Sequence, residues 1–554
     1  MSKMTDKEKN IKKSIKKSKK TNTPKNQHIE GHCSAFLEQY TNDIVSLCDQ
    51  IRHINSNIKL NVKCTHLQMD KVLVSYHVLF LIFAKNILDI SYQSQLKSDF
   101  FFSHLVITPE LLTHYKTEIG LIQNLIKTDI QKVTKTFKLS KTQIDKLNIL
   151  VDDRCPHLKN AFSVIILNGF QSLPQEVLKY YNRGLEEHKL LYSSFTGFNT
   201  IEEIRTKLNY KCLVEFSLDD IKHKYTLYLS NKTQLNRIKT TILKRVAVQI
   251  VFMEKNFGRN VSKKPPKYTI YYTNLKKEVP VLTKGDTEIV FRAVNINTAV
   301  TNNRDEITIW RKEELLKSIF HEAVHYYDLD NKRKQFVEGF KRFILSTFKV
   351  DENSELVIYE AFTELNANLL NTLFNTFYKI YKSGNKTNSS SKINTKHLIA
   401  SFKKLCIREA EFSLQQVAKI YKLNNYQKPR DFLKGGGKVK RRILKKQPQN
   451  IKQFTDVVSY HIIKSIFLFN LHIIYQKNRD FKNAGKSKKG GNDIGLLADM
   501  SFGDSPQFGD YIKTVIIDAF ALNDKWYNNL NIELKKRISL KKNKSMRMTY
   551  YNNG

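Results

Sequence analysis

Apolar residues recur along much of this chain at spacings of three and four, the period of an amphipathic helix. An early example comprises Phe36, Tyr40, Ile44, Leu47 and Ile51. The same period predicts later helices over about Leu235 to Phe257, Arg311 to Leu329 and Glu352 to Tyr378. We therefore expect a predominantly helical protein.

From about residue 205 the pattern includes short β-branched and aromatic runs. Cys212–Phe216 and Tyr225–Leu229 read as paired strands, because Ser217–Asp220 between them supplies turn-forming residues. Tyr268–Tyr272 and Glu288–Val294 have the composition of strands as well. The expected fold class is therefore α+β, predominantly helical, with a small mixed sheet.

The length of the chain, 554 residues, exceeds what one ordinary core accommodates, and it suggests three or four domains. The hydrophobic fraction of 41% is sufficient for folded cores. We expect a basic disordered tail at 1–30, a helical domain at 31–204 and a mixed domain at 205–380. A helical region with flexible basic loops should occupy 381–530, and a second basic tail 531–554.

The formal net charge of +41 would attract polyanions such as nucleic acid or anionic membrane surfaces. The alternative is compositional drift, since abundant Lys, Asn and Ile are typical of AT-rich coding sequences, as in a large DNA virus or an AT-rich protist. The candidate polyanion contacts lie in two basic runs and are Lys12, Lys13, Lys16, Lys17, Lys19, Lys20, Lys440, Arg441 and Arg442.

The six cysteines are scattered and form no C-x-x-C pair, so we expect neither a disulfide framework nor a thiolate zinc site. Met1–Lys20 lacks the apolar core of a secretory signal. The apolar stretches Val72–Leu88 and Val457–Tyr475 are interrupted by polar residues, which favours buried helices over membrane spans. These features predict a reducing, intracellular location, in the cytoplasm, the nucleus or a virion.

The sequence His321-Glu322-Ala323-Val324-His325 is the strongest chemical signal in the chain. On a helix, His321 and His325 lie on one face, one turn apart, where both imidazoles can bind one tetrahedral zinc ion. Glu322 is displaced from them by about 100° and can reach a water on that ion as a general base. The alternative is a buried helix whose histidines are merely hydrogen-bonded.

A third zinc ligand is required, and the chain does not supply it in the metzincin pattern. Asp328 and Asn331 stand where that pattern has its glycine and its third histidine. Downstream, Glu360 and Glu364 lie one helical turn apart on an apolar helix, where carboxylates are costly unless ligated or paired. One of them can bind the metal while the other accepts an imidazole N–H. Glu338 is a rival ligand without a partner carboxylate.

These motifs resemble those of gluzincins, zinc metallopeptidases whose third ligand is a glutamate on a following helix. The stretch Glu360-Ala361-Phe362-Thr363-Glu364 is similar to their E-G/A-x-T-E signature. The resemblance, which covers about 205 to 380, implies that His321, His325 and Glu360 bind zinc, that Glu322 is the general base, and that Glu364 orients a histidine.

The resemblance also implies a zincin-like catalytic domain in which an edge strand above the metal pairs with extended substrate. Glu288–Asn297 is our candidate for that strand. An oxyanion-stabilising Tyr or His is expected too, and Tyr460, His461 and His397 are candidates.

The favoured function is zinc-dependent hydrolysis of a protein or peptide, as a metalloendopeptidase. One alternative is a structural or core protein associated with nucleic acid or another polyanion, with a vestigial or structural zincin domain. Another is a zinc hydrolase that is not a peptidase, because the H-E-x-x-H motif does not specify the bond that is cleaved.

Overall fold

The computed structural model describes residues 25–67, 200–258, 264–281, 288–302, 305–330, 333–384, 394–435, 448–484, 495–536, 540 and 543–551, except 201–202, 205–206, 220, 355 and 504. The nine basic residues named as polyanion contacts lie outside the described residues, as does Val72–Leu88. So does most of the expected helical domain at 31–204.

A six-stranded mixed sheet forms one layer of the molecule. Its order is β1-β2-β3-β4-β7-β6, with β3, β4 and β7 parallel and the other neighbours antiparallel. Two further strands, β5 and β8, pair separately. The bounds are β1 Lys59–His66, β2 Tyr210–Leu218, β3 Ile221–Leu229, β4 Lys267–Tyr271, β5 Val290–Phe291, β6 Ala299–Thr301, β7 Glu306–Ile309 and β8 Lys452–Gln453.

Helices make up most of the rest of the described chain. Two π-helical segments, Lys239–Leu243 and Val458–Ile463, lead directly into the α-helices that begin at Lys244 and Lys464. The bounds are α1 Lys25–Asn57, α2 Lys232–Ile238, α3 Lys244–Phe257, α4 Ala293–Ile296, α5 Leu315–Tyr326, α6 Lys334–Thr347, α7 Tyr359–Gly384, α8 Thr395–Leu423, α9 Lys464–Phe469, α10 Leu471–Ala484, α11 Leu496–Asp499, α12 Pro506–Asp518 and α13 Lys525–Lys535.

The predicted fold class is confirmed: the protein is α+β and predominantly helical, with a mixed sheet. The predicted pair of short strands is the antiparallel hairpin of β2 and β3, which closes where Leu218 pairs with Ile221. The predicted strand at Tyr268–Tyr272 is β4, although the ladder begins one residue earlier and ends one residue earlier.

The predicted strand over Glu288–Val294 is wrong in its length and position. Only Val290 and Phe291 form a strand, and they pair with β8 instead of the six-stranded sheet. The chain then turns into α4, because the backbone N–H of Arg292 donates to the side chain of Asn295 at 2.9 Å. The strand at the edge of the sheet is instead β6.

The expectation of no disulfide is also wrong, because Cys64 and Cys212 are bonded. They lie opposite each other in the antiparallel ladder of β1 and β2. Their separation of 148 residues hid the pair, since sequence spacing reveals only cysteines that are close along the chain. Cys33, Cys48 and Cys406 are buried.

One hydrophobic core includes residues from nearly the whole described chain, from Cys33 on α1 to Met548 near the C-terminus. It therefore contains residues on both sides of the domain boundaries expected at 204/205 and 380/381, which stay predictions. The expected basic tail at 531–554 is not a tail throughout. Met546, Met548 and Thr549 within it are buried: the two methionines belong to the hydrophobic core, and the hydroxyl of Thr549 donates to the carboxylate of Glu409.

Helix α5 occupies the centre of this core. Every one of its residues is buried, and it packs against β6, β7, α3 and α7. It is shorter than predicted at both ends, since it runs from Leu315 to Tyr326 instead of from about Arg311 to Leu329. A helix enclosed on all sides can hold side chains in fixed positions, which a metal site requires.

No single helix among the described residues is long and apolar enough to cross a bilayer. The helical segments Val458–Phe469 and Leu471–Ala484 pass such a test only when taken together, and they are bent by 88° relative to each other.

The core around α7 should be sensitive to loss of Phe362, whose fully buried ring lies 5.0 Å from Phe467 and 4.4 Å from Phe502. We expect Phe362→Ala to lower the free energy of unfolding by about 3–5 kcal/mol, because it leaves a cavity. Urea unfolding measures the change. Leu522→Ala, at a side chain that is 61% exposed, is the control and should change it by under about 0.5 kcal/mol. Equal effects would contradict the packing described.

Candidate metal centre

One face of α5 carries three polar side chains at successive helical turns: Lys317, His321 and His325. The helix ends at Tyr326, directly after the second histidine. The chain then reverses through Asp328, which has a left-handed backbone conformation (φ 53°) that Asp tolerates better than most residues. This reversal brings the next acidic residue, Asp330, back against His325.

The facing helix α7 carries Glu360 in its first turn and Glu364 one turn later. Because α5 and α7 pack directly against each other, these carboxylates face the histidines. Glu364 is fully buried, whereas the Glu360 side chain keeps 13% of its exposure. The outer end of the cluster is therefore the end that solvent or a ligand can reach.

The three atoms best placed to bind a metal are the two histidine Nε2 atoms and Oε2 of Glu360. The Nε2 atoms of His321 and His325 are 3.1 Å apart. Oε2 of Glu360 lies 3.4 Å from the first and 3.2 Å from the second. Ligands at 2.0–2.1 Å from a tetrahedral zinc ion would be separated by about 3.3 Å, so this triangle has the size of one face of a zinc coordination tetrahedron.

The donor atoms also have the chemistry that a cation requires. Oε2 of Glu360 is buried and makes no well-aligned hydrogen bond among the described residues. Both histidines direct Nδ1 to other carboxylates, which leaves their Nε2 lone pairs facing Glu360. Three electron-rich atoms this close repel one another unless a proton or a metal ion lies between them. The set of two imidazoles and one carboxylate suits zinc.

A different carboxylate lies against the Nδ1 atom of each histidine. Oε1 of Glu364 lies 2.8 Å from Nδ1 of His321, and Oδ2 of Asp330 lies 2.6 Å from Nδ1 of His325. The hydroxyl of Thr363 donates to the same Asp330 oxygen at 3.3 Å. Such partners fix the ring orientation and the tautomer of ligating histidines.

Buried charges set the protonation of the donor atoms. Burial opposes a charge on His325, but Glu360 and Asp330 outweigh it and raise its pKa to about 10. The pKa of His321 is raised in the same way by Glu360 and Glu364. Burial is likewise outweighed at Glu360, whose pKa the two histidines lower. The cluster therefore favours positive charge at its centre, and a metal ion must displace protons to bind.

Glu322 lies beside the donor triangle without being part of it. Its Oε1 is 4.0 Å from Nε2 of His321, beyond the distance at which both could bind one ion as tightly as the triangle does. Burial raises the pKa of the Glu322 carboxyl. Positive charge on His321 and His325 lowers it, but burial has the larger effect. A carboxyl with a raised pKa next to a metal site has the properties of a proton acceptor.

Of the candidates for stabilising an oxyanion, Tyr460 lies next to the donor triangle. Its ring is 5.9 Å from that of His321, and burial, together with Glu360 and Glu364, raises the pKa of its hydroxyl, which keeps the proton. His461 lies deeper, where burial and Lys464 lower its pKa well below the ordinary value. His397 is exposed at the start of α8, and the rival ligand Glu338 is exposed on α6. Neither belongs to the cluster formed by α5 and α7.

Sequence reasoning missed Asp330, Lys317 and Tyr359. Lys317 is buried and forms an ion pair with Glu364. The ring of Tyr359 packs edge-on against His325 at 5.8 Å. A signal for Lys317 was available, since it precedes His321 by four residues on an apolar helix, where a lysine needs a buried acid. Asp330 gave no helical spacing to detect, because it follows the end of α5.

No family model and no solved structure matches the chain. Among curated proteins, the chain is similar to "Uncharacterized protein R210" of Acanthamoeba polyphaga mimivirus, with 25% identity over 134 residues. The similarity covers 24% of this chain and 30% of that protein, so the chain spans less than a third of its relative. This likeness assigns no activity.

The donor triangle leads us to expect one zinc ion per chain. His321→Ala, His325→Ala and Glu360→Gln should each abolish stoichiometric binding, because two donors do not hold zinc tightly. Asp330→Asn should weaken it by about 10- to 100-fold, since His325 loses its orienting carboxylate. Elemental analysis and competition with a chromophoric chelator measure both effects. His397→Ala is the control and should bind normally; unchanged binding in the ligand variants would exclude this centre.

Proposed function

We propose that the protein is a zinc-dependent hydrolase that cleaves peptide bonds. The observation that carries this proposal is the triangle of His321 Nε2, His325 Nε2 and Glu360 Oε2, with Glu322 next to it but outside it. A site that only stabilised the fold would be expected to surround its metal with four protein ligands. Three donors and an adjacent buried carboxylate are the arrangement of a hydrolytic site.

A bound zinc ion would supply Lewis-acid chemistry, lowering the pKa of a water molecule and polarising a carbonyl group. The chain contributes the proton acceptor. Glu322 is held beside His321 with its Oε1 free to take a proton from an attacking water and to return it to a leaving amine. Its raised pKa suits both roles, because a stronger base accepts the proton and a neutral carboxyl can later donate it.

Tyr460 is the best-placed residue to stabilise negative charge on the substrate. Its ring is close to His321, and its high pKa keeps the phenol protonated as a hydrogen-bond donor. A donor aimed at a developing oxyanion is a large contribution to catalysis of acyl transfer. His461 supports this role less well, since its surroundings of Lys464, Lys277 and Lys317 place it behind the donor triangle.

The edge of the sheet supports a peptide as substrate. Within the described part of the sheet, β6 is the outermost strand, next to β7, and its three residues are half-buried. Helix α5 packs against this edge. An extended peptide can add to such a strand through main-chain hydrogen bonds, which would lay a peptide bond near α5. In this proposal β6 takes the place that the sequence suggested for Glu288–Asn297.

Glu322→Gln separates metal binding from catalysis. The variant keeps the size of the side chain but cannot accept a proton, so we expect normal zinc content and a loss of hydrolysis by at least about 100-fold. Zinc content and cleavage of a denatured protein mixture, read by mass spectrometry, are measured together, with His397→Ala as the control. Full activity of the glutamine variant, or no cleavage by the zinc-loaded parent chain, would contradict the proposal.

A second candidate function is association with a polyanion such as nucleic acid. The observation in its favour is the net charge of +41, which would produce a strong attraction to phosphate backbones. The similarity to a mimivirus protein agrees with a viral origin, and an intracellular or virion location would supply such a partner. The two functions are compatible, because basic segments can hold a hydrolase near nucleic acid.

The polyanion proposal is tested by the salt dependence of DNA binding. We expect affinity to fall steeply, by about 10³-fold or more between 50 and 200 mM salt, if six or more phosphates are contacted. Deletion of residues 1–24 should flatten this dependence, because it removes the first lysine run and ends before α1 begins at Lys25. Binding is measured by fluorescence anisotropy. A weak salt dependence that is the same with and without residues 1–24 would argue against the proposal.

A further inference from the structure

The C-terminal segment Asn543–Tyr551, called the C-terminal clasp below, packs against the molecule behind α5, with Met546, Met548 and Thr549 buried and both ends more exposed. Hydrogen bonds join both ends of its backbone to other parts of the protein. The N–H of Val279 donates to the carbonyl of Lys544 at 2.7 Å, and the N–H of Tyr550 donates to Glu409 at 3.0 Å. Between these points Met546 and Met548 are 0% and 3% exposed.

Glu314 attaches the clasp to the start of α5. It precedes the first residue of that helix and has a left-handed backbone (φ 63°). Its carboxylate accepts the backbone N–H groups of Met548 and Thr549, the latter at 2.7 Å, and is also paired with Lys277 at 2.8 Å. The left-handed conformation is unfavourable for a residue other than glycine, and these carboxylate contacts help to offset its cost at Glu314.

Met548 is the residue of the clasp that reaches the metal centre. Its carbonyl accepts a hydrogen bond from Lys464 on α9 at 2.8 Å, and its Sδ lies 3.7 Å from Nζ of Lys317. Lys317 is paired with Glu364, and Glu364 lies 2.8 Å from Nδ1 of His321. A continuous chain of contacts therefore links residue 548 to a proposed zinc ligand.

We propose that the C-terminal clasp is a part of the metal centre, with Met548 and Lys317 as positioning residues for His321. The clasp covers the buried Lys317–Glu364 pair and keeps water from it. Without this cover, the ion pair would be solvated and Glu364 would be free to leave His321. Loss of such an orienting partner weakens metal binding. This inference rests on the metal centre of the proposed function, and not on the nature of the substrate.

Two methionine variants test the clasp, because they remove the same side chain from neighbouring buried positions of one segment. Met548→Ala removes the contact with Lys317, whereas Met546→Ala, whose backbone N–H donates to the carbonyl of Lys277, is the matched control. Both should lower the melting temperature by similar amounts. We expect Met548→Ala alone to weaken zinc binding, by about tenfold or more, and Met546→Ala to stay within about twofold.

Cobalt(II) provides a readout that general destabilisation would not change. Its visible absorption reports the geometry around the ion, so the spectrum of Met548→Ala should differ from that of the parent chain, while that of Met546→Ala should not. Equal zinc affinities and equal spectra in the two variants would overturn the clasp proposal. If the parent chain bound no zinc at all, the proposed function itself would fail, and the two failures are thus distinguishable.

The unaltered chain provides a second test that does not depend on a variant being folded. Coupling between two sites is reciprocal, so a clasp that supports zinc binding must itself be stabilised by zinc. Hydrogen exchange of residues 543–551 should slow by about tenfold or more on zinc addition, in proportion to the coupling. Helix α12, which packs on α6 and α10, is the reference segment. If zinc slowed exchange in the clasp and in α12 by the same factor, the inference would be refuted.

Discussion

The pairing of buried charges between α5 and α7 is the constraint on which the rest of the structure depends. A carboxylate or an ammonium group inside a protein costs several kcal/mol unless an opposite charge meets it. Glu360 and Glu364 on α7 satisfy this requirement against Lys317, His321 and His325 on α5. The two helices can therefore pack in one register only, because a shift of one turn would leave buried charges without partners.

The pairs of residues spaced one helical turn apart could be predicted from the sequence, whereas the contacts between segments far apart along the chain could not. The spacing of His321 and His325, and that of Glu360 and Glu364, follows from the period of a helix, so each pair was recognisable alone. Asp330 depends on how the chain turns after α5, which no periodic pattern records. The disulfide and the C-terminal clasp join residues far apart in sequence, and the basic composition near the C-terminus concealed its buried methionines.

The overall charge of the protein and the charge of the carboxylates that surround the donor triangle have opposite signs. The chain carries +41, yet four carboxylates surround the two histidines at the donor triangle. Exposed charges are screened over about 8–10 Å at physiological ionic strength, whereas buried neighbours are screened much less. The immediate carboxylates therefore decide whether a divalent cation is attracted, and a basic surface is compatible with a cation site inside.

The antiparallel pairing of β1 and β2 has an architectural consequence. The N–H of Leu67 donates to the carbonyl of Asn209 at 2.7 Å, directly beyond the ladder that the Cys64–Cys212 bond crosses. The intervening segment of more than a hundred residues thus leaves and re-enters the sheet at one point, as an insertion does. Because the two ends of this segment lie side by side in the ladder, a change in its length need not move the strands that flank it.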